Sequence, residues 1–252
     1  MKSKLLTLAF VAAVALASAA TAQVSVKADL VSWGEDIPGL TLKSAGKGEP
    51  VTALAFRYSK PVRYSGPEVM EIHQDPATAA KATEGSQNTA AIPPELAELR
   101  KKDPTLVALA KVPAGSTRVT VLIAPLSAGT YQTYVIDDDP TKLPLGQLRI
   151  LNYSPVKIAM RCNGKAVKEM GTKDSFVVPP QEDGQVIYEL AYDNQGKWKM
   201  QENNLLAVNP KEQVQLIVLK SNADFFTNSD GGRSGFLQKV VLRRPAEEAA
   251  AP

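Results

Sequence analysis

Residues 117–139 read TRVTVLIAPLSAGTYQTYVIDDD and carry the clearest structural signal in the chain. Both ends of this stretch are rich in Val, Ile, Thr and Tyr, which pack well on the pleated surface of a β-sheet. Between them, Pro125 ends the first run and Gly129 permits the turn that opens the second. The stretch therefore predicts two β-strands, at 117–124 and 130–136, joined by a short connection.

Runs of the same kind occur along most of the chain, and Gly, Pro, Asn or Asp separate them. Asn163-Gly164 predicts a hairpin between VKIAMRC (156–162) and KAVKEM (165–170), because both turn residues tolerate a positive φ. The chain is therefore predicted to be all-β. The further predicted strands are VSVKADLV (24–31), VTALAFRY (51–58), EVMEI (68–72), TLVALAKV (105–112), QLRILNY (147–153), VKIAMRC (156–162), SFVVP (175–179), QVIYELAY (185–192), VQLIVLK (214–220) and FLQKVVL (236–242).

The predicted strands are divided between two modules. A chain of 252 residues builds one large domain or two modest ones. The strand TYQTYVI ends just before Asp137, so the boundary is placed at the aspartates that precede Pro140. We expect two tandem β-sandwich modules of the immunoglobulin-like type, at 23–139 and 140–244, and a disordered tail at 245–252.

The two predicted modules share a local pattern. Pro125 and Gly129 in the first module are matched by Pro180 and Gly184 in the second, with the same spacing. Duplication of one ancestral module explains this pattern, and so does chance similarity between hydrophobic strands. Both explanations stay open at this point.

Residues 75–104 interrupt the strand pattern of the first module. Their first half, PATAAKATEGSQNTAA (76–91), is small, polar and aperiodic, which predicts a surface loop. The second half contains PPELAELRKK (93–102), where proline suits the first helical turn and the charges complement a helix dipole. We therefore expect an inserted loop followed by a short helix.

Residues 1–22 have the composition of an export signal. Two lysines precede an apolar run, Leu5–Ala17, and Ala20-Thr21-Ala22 has the small-x-small pattern of a cleavage site. The apolar run is shorter than the roughly 20 residues that a membrane-spanning helix needs, and no later stretch reaches that length. We expect cleavage before Gln23 and a mature protein that is periplasmic or secreted and does not span a membrane.

The charge balance of the chain is nearly neutral. There are 29 Lys and Arg residues against 26 Asp and Glu residues, a formal net charge of +3, and cleavage of the leader removes two of the lysines. Such a balance provides no field that would attract nucleic acid. We therefore expect no nucleic-acid partner.

Few residues of the chain are suited to catalysis. His73 is the only histidine, no G-x-S-x-G sequence provides a serine nucleophile, and phosphate-binding glycine motifs are absent. On one strand, Glu71, His73 and Asp75 could hold a metal ion, or they could form a solvated edge with His73 pointing outward. We assign no catalytic residue and no cofactor, and we expect a protein that is not an enzyme.

Cys162 is the only cysteine of the chain, which excludes an internal disulfide. Its spacing of two from Met160 places both side chains on the same face of a strand. Cys162 is therefore either a small buried hydrophobic residue or a reactive thiol.

Two further groups of residues each allow a binding and a structural interpretation. Asp137, Asp138 and Asp139 could bind Ca²⁺ and stiffen the module junction, or they could form a solvated linker that discourages pairing between strands. Several aromatic residues could form a platform that stacks on sugars, or they could pack inside the cores. These aromatic residues are Trp33, Tyr153, Tyr188, Tyr192 and Trp198.

Three segments together resemble a group of exported bacterial proteins of unknown function. They are YSGPEVMEI (64–72), TYQTYVIDDD (130–139) and LPLGQLRILNYSP (143–155). The resemblance extends from about Ala53 to Leu242. It implies a secreted all-β fold of two sandwich-like modules and carries over no catalytic residue, and the insertion at 75–104 departs from it.

The export signal, the strand pattern and the missing catalytic residues favour a non-enzymatic structural or binding protein of the cell envelope. Its expected partner is an envelope protein or a glycan. Two alternatives stay open. One is a carbohydrate-binding module that uses exposed aromatic residues, and the other is an adhesion or scaffold element made rigid by Ca²⁺.

Overall fold

The computed structural model describes residues 23–84, 91–165, 167–220 and 236–246. The predicted leader, 1–22, lies outside these ranges. Within them the chain is mostly β, with two short α-helices, which confirms the all-β prediction. Neither of the helices in the described ranges is long and apolar enough to cross a bilayer.

Every predicted strand overlaps an observed one. β2, β4 and β14 were not predicted, and β11 was predicted only as the second strand of the hairpin at Asn163-Gly164. The first half contains β1 (Gln23–Ser32), β2 (Ile37–Ser44), β3 (Lys47–Ala55), β4 (Val62–Pro67), β5 (Val69–His73), α1 (Pro76–Ala82), α2 (Pro94–Arg100), β6 (Leu106–Lys111), β7 (Arg118–Pro125) and β8 (Tyr131–Asp137). After a 3-10 turn at Pro140–Lys142, the second half contains β9 (Leu148–Asn152), β10 (Ile158–Cys162), β11 (Lys168–Met170), β12 (Ser175–Val178), β13 (Gln185–Asn194), β14 (Lys197–Ala207), β15 (Glu212–Lys220) and β16 (Leu237–Pro245).

Strands β1–β8 form one sheet, the first sheet, in the order β6-β5-β2-β3-β1-β7-β8, with β4 paired to β1. This sheet curls until its two ends meet, where Thr133 Oγ1 of β8 donates a hydrogen bond to the Leu109 carbonyl of β6 at 2.5 Å. The curl encloses an apolar core, to which alternate residues of β1 contribute Val26, Ala28 and Leu30. The two halves of the curled sheet therefore face each other across that core.

Strands β9–β16 form two four-stranded sheets. The inner sheet has the order β12-β9-β15-β16, and the outer sheet has the order β11-β10-β13-β14. Both sheets contribute to one core, with Ile150 and Leu216 from the inner sheet and Met160 and Tyr188 from the outer sheet. The predicted hairpin at Asn163-Gly164 is confirmed, because it joins β10 to β11 and both of its residues have positive φ.

The inner sheet packs not only on the outer sheet but also on the first sheet. Val31 and Leu122 of the first sheet share an apolar cluster with Ile217 and Leu242 of the inner sheet. Strands β7, β9 and β15 therefore have a core on each side. Apolar residues follow one another within them, as at 121–124 in β7 and 216–219 in β15. The parallel pairs β1–β7 and β9–β15 lie in this layer, as expected for parallel strands, which are normally covered on both faces.

The Pro–Gly pattern shared by the two halves closes two turns with a hydrogen bond at corresponding positions. Leu126 donates its backbone N–H to the Thr130 carbonyl at 2.9 Å, and Gln181 donates to the Gln185 carbonyl at 2.8 Å. The strands around the turns differ, because β7 and β8 pair within one sheet whereas β12 and β13 lie in different sheets. The likeness is therefore one of local turns and does not support duplication of a module.

The insertion contains a helix where a loop was predicted. Asp75 is the N-cap of α1 and accepts the Thr78 N–H at 3.0 Å, although the segment lacks the apolar periodicity that predicts helices. The helix packs closely on the turn at Gly129. The Gly129 N–H donates to the hydroxyl of Thr83, the C-cap of α1, at 3.0 Å. The predicted helix within 93–102 is confirmed as α2, and residues 85–90 lie outside the described ranges.

The C-terminal strand is longer than predicted. β16 ends at Pro245, and the Ala246 N–H donates to the Lys211 carbonyl at 2.8 Å. Pro245 and Ala246, which were assigned to the tail, therefore belong to the folded structure. Residues 247–252 lie outside the described ranges.

Candidate functional site

The outward face of the outer sheet carries a groove that we call the Trp198 groove. It encloses about 340 Å³, within the range of roughly 300–1,000 Å³ that small-ligand sites occupy. All four strands of the outer sheet, or the residues next to them, contribute side chains. The groove is lined by Ala159, Arg161, Val167, Glu169, Glu189, Ala191, Trp198 and Met200.

The floor of the Trp198 groove is low because small residues lie opposite each other on neighbouring strands. Ala159 of β10 pairs with Ala191 of β13, and Ala191 pairs with Met200 of β14. Side chains paired in this way point to the same side of a sheet. Two methyl groups therefore lie between the taller side chains of Glu169 and Met200.

The walls of the groove are apolar and exposed to solvent. Trp198 exposes 46% of its surface and Met200 exposes 61%. Ile187 and Leu205, which are opposite each other on β13 and β14, are also exposed, and the polar pair Glu189–Asn203 separates them from Met200. Two large exposed apolar side chains that line one groove mark an interaction site more often than scattered apolar residues do.

An ion pair forms the polar part of the groove. Arg161 Nη2 donates to both carboxylate oxygens of Glu189, at 2.7 and 2.5 Å, from the directly opposite position on the neighbouring strand. A guanidinium has five N–H donors, and a carboxylate has about four acceptor sites. The pair can therefore hydrogen-bond to a ligand while staying intact, and Glu169, opposite Ala159, adds a second carboxylate.

The five aromatic residues considered as a sugar platform do not come together. Tyr188 is buried in the core between the inner and outer sheets, and Tyr192 packs at the edge of that core. Trp33 and Tyr153 pack on the cluster between the first and inner sheets. Of the five, Trp198 alone is exposed, so core packing accounts for the other four.

His73 is buried, although we predicted that it points outward. The register shift at Ile72/His73 places its extra residue, Val107, on β6, so β5 keeps its alternation. The ring is buried because Thr105 and Asp103 lie against it. The ring still contacts Glu71 as their shared face predicted, with Nε2 3.3 Å from Glu71 Oε2. Asp75 caps α1 instead, so the suggested metal-binding trio does not converge.

The acidic residues beside His73 lie on opposite sides of its ring. Glu71 is next to Nε2, whereas Asp103 Oδ2 lies 3.6 Å from Nδ1, and Thr105 Oγ1 lies 3.0 Å from the same nitrogen. Hydrogen bonds from Thr105, chiefly from its hydroxyl, hold the pKa of Asp103 below its ordinary value, and Lys43 adds to this effect. The arrangement orients the buried His73 ring, but its two acidic neighbours do not converge on one position where a ligand could bind.

The three aspartates at the junction take different partners. Asp137 pairs with Lys142, and Asp139 caps the 3-10 turn that follows. Asp138 is only 2% exposed and bonds to Arg244 Nη1 at 2.7 Å, so the expectation of a solvated linker is wrong for this residue. In the described part of the chain, no three His, Cys, Asp or Glu side chains are placed to share a metal ion.

Asp138 belongs to a buried ionic network between the first sheet and the inner sheet. Arg244 of β16 lies between Asp138 and Asp29 of β1, with Nη2 3.1 Å from Asp29 Oδ2. Arg118 of β7 also binds Asp29, at 2.9 and 3.3 Å. All four side chains are almost fully buried, and the two positive charges balance the two negative ones.

Neutral side chains complete this network. Thr120 Oγ1 and Gln215 Nε2 each donate to Asp138 at 2.7 Å, and the Arg244 guanidinium lies 4.0 Å from the centre of the Tyr58 ring. Burial, reinforced by Asp138, raises the pKa of Tyr58 and keeps its hydroxyl neutral. The network therefore fastens the C-terminal strand to the first half of the protein.

Sequence reasoning identified Trp198 but not the rest of the groove. Ala159 and Ala191 were inside predicted strands, yet their pairing depends on a register that the sequence does not show. Arg161 and Glu189 come together for the same reason. No protein-family model matches the chain, and no curated protein matches it.

Proposed function

We propose that the protein is an exported, non-enzymatic binding protein of the cell envelope, periplasmic or secreted, whose ligand occupies the Trp198 groove. The half-exposed indole above a floor of two alanines carries this proposal. In this proposal, the two halves of the chain are tandem sandwich modules of the immunoglobulin-like type. The second module presents the groove, and the first supports it through the inner sheet.

The chemistry of the groove suits binding better than bond making. Its walls offer apolar contact and stacking, and its charged pair offers hydrogen bonds that orient a ligand. The ionisable residues that line it, Arg161, Glu169 and Glu189, are held by partners or exposed to water. These features support recognition without turnover.

A glycan is the second, narrower candidate, and Trp198 favours it. A sugar ring has an apolar face of C–H groups and a rim of hydroxyls. The indole of Trp198 can cover the apolar face, while Arg161 and Glu189 reach the hydroxyls. An envelope protein would instead contact the apolar walls of the groove together with the exposed pair Ile187 and Leu205 beyond Glu189.

The glycan candidate is tested by tryptophan fluorescence, because Trp33 and Trp198 are the two tryptophans of the chain. In a Trp33→Phe variant, Trp198 is the sole tryptophan, and binding of an envelope-derived oligosaccharide should shift its emission. Trp198→Ala should weaken binding by about 2 kcal/mol, or roughly 30-fold, as expected for a central aromatic contact. Because Trp198 is exposed, its replacement should leave the unfolding midpoint nearly unchanged.

The broader proposal is tested by photo-cross-linking in the intact envelope. A photoreactive side chain at Met200 should capture an envelope protein or a glycan. The same group at Lys173, which is exposed on another part of the second half, is the matched control. Equal labelling from positions 200 and 173, together with no fluorescence response to glycans, would show that the groove is not the binding site.

Absence of enzymatic activity is tested separately through His73. We expect the purified protein to turn over none of a panel of ester, peptide, glycoside and phosphate substrates. Should turnover be found, His73→Gln distinguishes the protein's own activity from that of a contaminant. Turnover that this change abolishes would contradict the proposal.

A further inference from the structure

A second concavity opens between the inner and outer sheets, on the side of their edge strands β12 and β11. We call it the Cys162 slot, and it encloses about 260 Å³. Its interior is formed by Met160 and Cys162 of β10 and by Phe176 and Val178 of β12. These residues belong to the core between the two sheets or pack against it, so the slot leads directly into apolar surroundings.

The slot exists because the two sheets are not joined along this side. β11 has three residues and β12 has four, so each edge covers little of the core behind it. The turn after β10 and the end of β12 form the rim, where Asn163 Nδ2 donates to the Pro179 carbonyl at 3.0 Å. An apolar opening is therefore held in a fixed shape.

Two lysines line the mouth of the slot. Lys168 is directly opposite Met160, so its side chain lies on the inner side of β11, and its Nζ is 6.0 Å from the centre of the Phe176 ring. Lys165 lies in the turn before it. Within the described ranges, no carboxylate lines the slot or forms an ion pair with either lysine.

An inward lysine on an edge strand also discourages pairing with other chains. That role accounts for Lys168 alone. It explains neither the second lysine nor the apolar concavity beneath both. An apolar interior below two positive charges is complementary to a ligand with a short apolar tail and an anionic head.

We propose that the Cys162 slot binds a small anionic amphiphile, with its tail between the two sheets and its carboxylate or phosphate head beside Lys165 and Lys168. The volume lies just below the usual range of roughly 300–1,000 Å³, which favours a short chain over a full lipid tail. This site is separate from the Trp198 groove, which lies on the other face of the outer sheet. The proposal therefore does not depend on the proposed function.

Cys162 provides a direct measurement of occupancy, because it is the only cysteine of the chain and lines the slot. Burial raises the pKa of its thiol to about 11. At pH 8 such a thiol holds about 100-fold less reactive thiolate than an ordinary one. We expect slow alkylation by iodoacetamide in the free protein, becoming faster as the pH approaches 11.

The test measures how octanoate, octyl phosphate and octanol change the alkylation rate of Cys162, with calorimetry as a second readout. Octanoate, octyl phosphate or both should protect the thiol in a saturable way, and octanol should bind at least about tenfold more weakly. The two anions distinguish a carboxylate from a phosphate ligand. Protection by octanol as strong as by the anions, or no saturable protection, would overturn the proposal.

Charge reversal at the mouth completes the test. Lys165→Glu combined with Lys168→Glu should weaken binding of the protected anion by about tenfold or more, as expected for the loss of two exposed charge contacts. Both side chains are exposed, so the variant should fold, and an unchanged unfolding midpoint verifies this. Lys173→Glu combined with Lys211→Glu, at exposed positions that do not line the slot, should bind like the native protein. Equal binding by the two double variants would contradict the assignment.

Discussion

Arg244→Met is expected to lower the free energy of unfolding by about 3–5 kcal/mol, the cost of removing one partner from a buried ion pair. Arg244 lies between Asp29 and Asp138, and all three side chains are almost fully buried. Methionine keeps much of the apolar volume but removes the positive charge. Two carboxylates then stay buried with one arginine to balance them. Urea unfolding followed by circular dichroism measures the effect.

The neighbouring residue provides the matched control. Arg243 is partly exposed and pairs with Glu212 at the surface, so Arg243→Met should cost less than about 1 kcal/mol. Adding Asp138→Asn to Arg244→Met should cost less than the sum of the two single changes, because both act on one network. A cost below 1 kcal/mol for Arg244→Met would show that the network does not hold the two halves together.

Asn152→Ala is expected to destabilise the protein by about 3 kcal/mol, because it removes several buried hydrogen bonds together. Asn152 is fully buried at the end of β9. Its Nδ2 donates to the carbonyls of Val156, Met170 and Gly171 at 2.9 to 3.2 Å. Its Oδ1 accepts the backbone N–H of Ser154 at 2.9 Å. Alanine leaves these backbone groups without their hydrogen-bond partner and removes the side-chain hydrogen bonds that link β9 to the loops around β10 and β11.

The control for Asn152 is an asparagine at the surface. Asn203 of β14 is exposed, so Asn203→Ala should change the free energy of unfolding by less than about 0.5 kcal/mol. Thermal or urea unfolding of both variants gives the comparison. Equal stability of the two variants would mean that the backbone groups around Asn152 find other partners.

The strands of this protein could be predicted because alternation and β-branched composition are local properties. The stretch at 117–139 illustrates this, since both of its strands and the turn between them are present. The run at 214–220 also has a local meaning, because its four consecutive apolar residues at 216–219 are typical of a strand covered on both faces. Which sheets cover those faces could not be read from the run.

The elements that were missed lack a local signal or depend on neighbours. β14 is polar and mostly exposed, and it forms because it pairs with β13 through a turn at Gln195-Gly196, where both residues have positive φ. α1 has little apolar periodicity and is defined by its cap at Asp75. His73 was expected to be exposed to solvent, but Asp103 and Thr105, the latter 32 residues further along the chain, cover its ring.

By itself, the sequence determined the all-β class, the positions of most strands and the turns at Pro125–Gly129 and Asn163-Gly164. These follow from short-range geometry, namely side-chain alternation and the few residues that accept a positive φ. Only the tertiary structure decided the Trp198 groove and the ionic network. Strand register placed Ala159 opposite Ala191, and the packing of two sheets brought Asp29 within 3.1 Å of Arg244, a residue 215 positions away. Contacts across such distances in the chain leave no pattern in the residues next to them, because they form only when separate sheets meet.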